Sequence, residues 1–173
     1  MTGIASILAA RELARHIGAE SAAAEGVAPS ATFADLYAYA RSGDPAIPPA
    51  LARDLASIPR LRDDLRALLR DLALYRADRV AAASSGGTMT QRRGDGFSLD
   101  LKPSRTGDGQ VYALVILSDP DRAPRTLFIQ PPDGALLKVP LPDAAGARLQ
   151  VLFEPGDPAL AALRDPASEI FLV

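Results

Sequence analysis

The sequence predicts an α+β protein with segregated elements: an N-terminal helical region of about four helices, then a small antiparallel β-sandwich, Ig-like in the loose sense. Three observations carry this. Up to about residue 80 the apolar residues recur at steps of three and four, beyond Gly96 they fall in short runs of β-formers cut by Pro, Gly and Asp, and between the two lies a stretch with no apolar period. The chain therefore divides into a helical partner-binding region (1–80), a flexible linker (81–96) and a β-sandwich domain (97–173).

In the helical region, Ile4, Ile7, Leu8, Leu13 and Ile17 mark one face of a first helix, broken after Glu25 by GVAPS. Thr32 and Asp35 have the spacing of a capping box, so a second helix runs from Thr32 to Arg41 with Phe33, Leu36, Tyr37 and Ala40 on one face. Ser42-Gly43-Asp44-Pro45 stops it. Pro48-Pro49 then presets the first turn of a third helix carrying Leu51, Leu55 and Ile58. The fourth is expected from Pro59 to Val80, since Leu61, Leu65, Leu68, Leu72 and Tyr75 form a continuous stripe. Its opposite face holds Arg62, Asp63, Arg66, Arg70 and Asp71. Arg62, Arg66 and Arg70 repeat like charges every four residues, which fits either a solvated face or contact with an acidic surface.

In the linker, Ser84-Ser85-Gly86-Gly87 cannot bury enough surface to order itself. Beyond it, strands are expected at Phe97–Leu101, Val111–Leu117, Thr126–Gln130, Ala135–Leu141, Arg148–Phe153 and Glu169–Val173. Pro131-Pro132-Asp133-Gly134 turns a hairpin, and Pro158–Leu163 adds a helical turn. The apolar terminal run EIFLV is expected to pair inside a sheet, because an exposed edge of that kind invites aggregation, with strand addition to a partner as the alternative.

Chemistry is narrowed by what the chain lacks. With no cysteine among 173 residues and His16 as the one histidine, thiolate nucleophiles and Cys- or His-based metal sites are not expected. No nucleophile-elbow sequence accompanies His16, so no catalytic residue is assigned. Asp63-Asp64 point about a quarter turn apart on a helix, and Asp119 and Asp121 read as a turn without the later ligands of a calcium loop. The serine–glycine stretch lacks the lysine of a P-loop. Residues 1–50 carry a charge of −2, 51–95 +3 and 96–173 −3, too little contrast for nucleic acid. No cofactor, no metal, no nucleic acid and no membrane is expected. Gly3–Ala10 lacks the positive flank of a signal peptide, so a bacterial cytoplasmic protein is expected.

The segment Phe33–Leu74, with its aromatic-and-leucine first helix, Gly-Asp turn, the pattern Leu55, Pro59, Leu61 and a longer leucine-striped helix, resembles the N-terminal helical domain of bacterial anti-sigma factors. It covers about a quarter of the chain and departs from the zinc-binding and membrane-anchored branches, which leaves a zinc-less, soluble variant. The resemblance implies a non-enzymatic regulator whose helices hold a sigma factor, with Leu36, Tyr37, Leu65, Arg66, Leu68 and Leu72 as core or contact residues. The alternative is an adaptor, regulator or substrate of a bacterial caspase-like protease, cut in the linker at Arg92 or Arg93.

Overall fold

The computed structural model describes residues 30–79, 89–105 and 109–173. The expected first helix with His16, the expected helix end at Val80 and residues 81–88 of the expected linker lie outside the described residues. Local chemistry sets the helices. α1 (Phe33–Arg41) begins at Thr32, whose hydroxyl accepts from the N–H of Asp35 while the Asp35 carboxylate accepts from the N–H of Thr32, the expected capping box. α2 (Pro49–Ser57) and α3 (Pro59–Leu72) each start on a proline, whose missing N–H would have had no partner in a first turn.

α3 ends at Leu72, eight residues short of the expected Val80. The chain straightens there into β1 (Tyr75–Ala77), which pairs with the last strand and sends Tyr75 and Ala77 into the β core. Strand pairing and burial thus override the helical period at Tyr75.

The expected linker is also shortened. Gln91–Gly94 forms β2 and pairs antiparallel with β3 (Phe97–Pro103) across a two-residue Asp95-Gly96 loop. Gly96 takes a φ of 75°, which suits glycine. The remaining elements are β4 (Val111–Leu117), β5 (Thr126–Gln130), β6 (Leu137–Pro140), β7 (Arg148–Phe153), α4 (Pro158–Arg164) and β8 (Glu169–Leu172). All of these fall within a residue or two of their expected positions, and β5 and β6 pair as the expected hairpin.

The strands form two antiparallel sheets of four, ordered β1-β8-β5-β6 and β2-β3-β4-β7. Their inner faces share one core, with Leu127, Ile129, Ile170 and Leu172 from the first sheet against Leu99, Ala113, Val115 and Leu149 from the second. This order is not that of an Ig domain, which seats its first strand beside its second. Here the first strand is bound to the last, because β8 occupies an interior position of its sheet. The two sheets meet at the β1/β2 corner, where the N–H of Asp95 donates to the carbonyl of Arg76 at 2.8 Å. A Cβ on Gly94 would overlap that carbonyl, so this close approach requires glycine.

The helices are a third layer. Phe128 of β5 faces Phe171 of β8 across the ladder, and both turn outward into a second cluster with Leu36, Leu51, Leu61, Leu65, Leu68 and Leu69. Tyr39 meets Phe128 edge-on, ring centroids 6.1 Å apart. The first sheet is therefore apolar on both faces, which is why TLFIQ and EIFL read as continuous apolar runs without alternation. The helical layer thus packs on the first sheet through this second cluster.

Candidate functional site

The charged groups between the layers fix how the helical face is presented. Glu169 begins β8 and, by the alternation that turns Phe171 outward, its side chain also faces the helices. Its carboxylate is 4% exposed and accepts a bidentate pair of bonds from Arg66, through Nε and Nη2, and a third from Arg70 Nη2 at 2.8 Å. Arg79 Nε stands 3.8 Å away. Burial alone would raise the Glu169 pKa, but the bonds and charges of Arg66 and Arg70 outweigh it and hold the carboxyl below the ordinary glutamate value. Arg66 is raised in turn, chiefly by its bond to Glu169. The arginine repeat of α3 thus meets an acidic group within its own chain, one helical turn apart on one face.

This tie has a pH consequence. A folded pKa below the unfolded one means that Glu169 contributes its stability above the usual glutamate range of about 4.5, and that the contribution is lost as pH falls through the depressed value. Asp35 and Asp54, both lowered chiefly by hydrogen bonds, act in the same direction. The Glu169→Gln variant is expected to be less stable than the native chain at pH 7 and to approach it as pH falls below 4, measured by urea midpoints at each pH. A gap of constant size would refute the tie.

One further group ties the layers, and two more fix the helices to one another. Lys138 of β6 donates to the carbonyl of Tyr39 and to Ser42 Oγ, each at 2.7 Å, and lies 4.4 Å from the Tyr39 ring centroid. It caps the Tyr39 carbonyl in the last turn of α1 with a cation where the helix dipole favours one, and burial lowers its pKa. Asp54 of α2 accepts from Ser30 Oγ and the N–H of Ala31, holding the approach to α1. Arg62 donates to the carbonyls of Leu55 and Ala56 at the end of α2.

α1 and the turn into α2 border an open groove of about 520 Å³. Ala38, Tyr39, Ala46, Pro48 and Leu51 line it, with Asp35 and Asp44 among the polar groups. α1 also exposes Tyr37, 44% accessible.

The expected contact residues divide sharply. Leu36, Leu65 and Leu68 are buried in the chain's own core, Leu72 is half-buried against it, and Arg66 is bound to Glu169. Of the expected set, Tyr37 alone offers a large apolar surface outward. The leucines are withdrawn because the outward phenylalanines of β5 and β8 need covering.

The structure places the basic pair in a strand. Arg92 lies within β2, 2% exposed, and donates to the carbonyl of Asp165 at 2.7 Å and of Ser168 at 2.6 Å. Burial lowers its pKa. Arg93, next along the strand, points outward. A protease needs an extended, unpaired substrate, and this dipeptide is paired and half sequestered. Asp119 accepts from the N–H of Asp121 in the expected turn, and among the described residues no cluster of three or more His, Cys, Asp or Glu could hold a metal ion. No helix among those residues is long and apolar enough to cross a membrane.

Sequence reasoning missed Glu169, Lys138 and the α1/α2 groove. A glutamate heading an otherwise apolar strand was the available signal for the first. The chain matches no protein-family model, no curated protein and no solved structure.

Proposed function

We propose that this chain is a non-enzymatic regulatory protein of the bacterial cytoplasm that binds another protein through the outer face of its helical layer, in the manner of an anti-sigma factor. The observation that carries the reading is Tyr37, a well-exposed aromatic on a helix that also walls an apolar groove. An exposed aromatic side chain on a fixed helix is a frequent anchor of a protein contact. The ties through Glu169 and Lys138 support it, because a helix held in place loses little freedom on binding. The anti-sigma resemblance of Phe33–Leu74 suggests a sigma factor as the partner. In this reading the leucines of α3 build the platform, and Tyr37 makes the contact.

Titration calorimetry of the full chain against sigma factors of its own cell tests this. One of them is expected to bind, with Tyr37→Ala weakening the complex about tenfold or more and leaving the thermal midpoint unchanged. Leu68→Ala is expected to lower the midpoint instead. Absence of binding by every sigma factor, or a Tyr37→Ala variant that binds as the native chain does, overturns the reading.

A further inference from the structure

Four strands end the two sheets, and three are blunted. β1 and β2 are three and four residues long, and Arg76 of β1 bridges Asp95 just beyond β2. β6 is four residues long and closes on Pro140. β7, RLQVLF, has six residues and neither proline nor lysine, and it borders a cleft of about 300 Å³ between the sheet edges, lined by Val151, Phe153, Val139 and Pro158. Short length, proline and charge are how edges are protected from pairing, and β7 lacks them over its second half.

The register fixes which of its backbone groups point outward. The N–H of Leu117 donates to the carbonyl of Ala147, which makes 117 and 147 a hydrogen-bonded pair. By alternation Leu149, Val151 and Phe153 bond to β4, while Arg148, Gln150 and Leu152 direct N–H and C=O to the open edge. Arg148 confirms the direction, since both its backbone groups pair with Ala145 on that side. Among the described residues, Gln150 and Leu152 remain for a further strand. Leu152 is 42% exposed and stands beside Tyr112 on the outer face.

We infer that β7 pairs antiparallel with β7 of a second copy of this chain, about a two-fold axis at Leu152. In that register the two Leu152 residues exchange both backbone bonds, Gln150 of each copy faces Glu154 of the other, and Val151 faces Phe153. The sequence around Leu152 is self-complementary: the apolar residue meets itself and an amide meets a carboxylate. Both outer faces stay on the same side, so Tyr112 and Leu152 of one copy continue into those of the other. The pairing stops at Pro155, which has no N–H, and at Arg148, already occupied by Ala145.

Sedimentation velocity of the full chain from about 1 to 500 μM tests this range of weak association. A monomer–dimer equilibrium is expected. Leu152→Lys places like charges at the axis and raises the dissociation constant at least tenfold or so, with an unchanged circular dichroism spectrum. Gln150→Lys, facing Glu154, tightens the dimer, and Gln150→Glu weakens it. A chain that stays monomeric throughout, or a dimer indifferent to Leu152→Lys, or equal effects of the two Gln150 variants, overturns the inference.

Discussion

Phe171→Ala is expected to destabilise the chain by about 4 kcal/mol, with loss of helical and sheet structure in a single transition. Phe171 is 1% exposed and lies between the first sheet and the helical layer, opposite Phe128 and in contact with the leucine cluster of α1 and α3. Truncation removes a ring from both and leaves a cavity that two stiff layers cannot close. Small domains are stable by only about 5–15 kcal/mol, so the loss is a large share of the total. Urea unfolding followed by far-ultraviolet circular dichroism and by tyrosine fluorescence checks it: the two probes are expected to coincide in the native chain and to shift together in the variant. Helices that unfold apart from the sheets, or a variant in which only the helical signal moves, would show that the layers are independent modules after all.

That result bears on how much of the molecule could be read from its residues. Elements with a local cause were legible: the Thr32–Asp35 cap, the proline starts of α2 and α3, and the turn at Pro131–Gly134. Run length and β-branched content placed β4, β5 and β7 closely. What escaped reading depends on partners distant in sequence. Tyr75 continues the leucine stripe, and only pairing with Leu172, 97 residues later, makes it a strand residue. β2 was hidden because Gln91-Arg92-Arg93 looks like solvated linker. The Asp95-Gly96 pair, a strong two-residue hairpin signal next to Phe97 and Leu99, was the clue to it. The same limit applies to the candidate site. The apolar face of α3 was plain, but a stripe cannot say whether its cover is another protein or the chain's own Phe128 and Phe171. Nor can a row of arginines announce that Glu169 will lie beneath two of them.

Arg92→Ala is expected to cost about 3 kcal/mol, the second large effect, for a reason unlike the first. The guanidinium spans two carbonyls in the segment joining α4 to β8, those of Asp165 and Ser168, while Arg66 and Arg70 hold Glu169 from the other face of the strand. Removing it strands the buried Ser168 carbonyl, leaves the Asp165 carbonyl with only the Ser168 N–H as donor, and opens a void, which outweighs the relief of no longer burying a charge. Arg92→Lys is expected to recover only a part, because an ammonium group on a flexible stem does not reproduce the planar fork. Arg92→Met keeps the apolar stem but supplies no donor, so it separates packing from hydrogen bonding. Urea midpoints rank the three, with Lys above Met and Met above Ala. Trypsin gives an independent reading through the bond after Arg93, which stays protected while β2 is paired with β3. In the native chain that cut is expected to be slow and to rise only with global unfolding, and in Arg92→Met to appear faster in proportion to the lost stability. Rapid cutting after Arg93 in the native chain at low temperature would mean that β2 detaches by itself, and would return the basic pair to the role of a processing site.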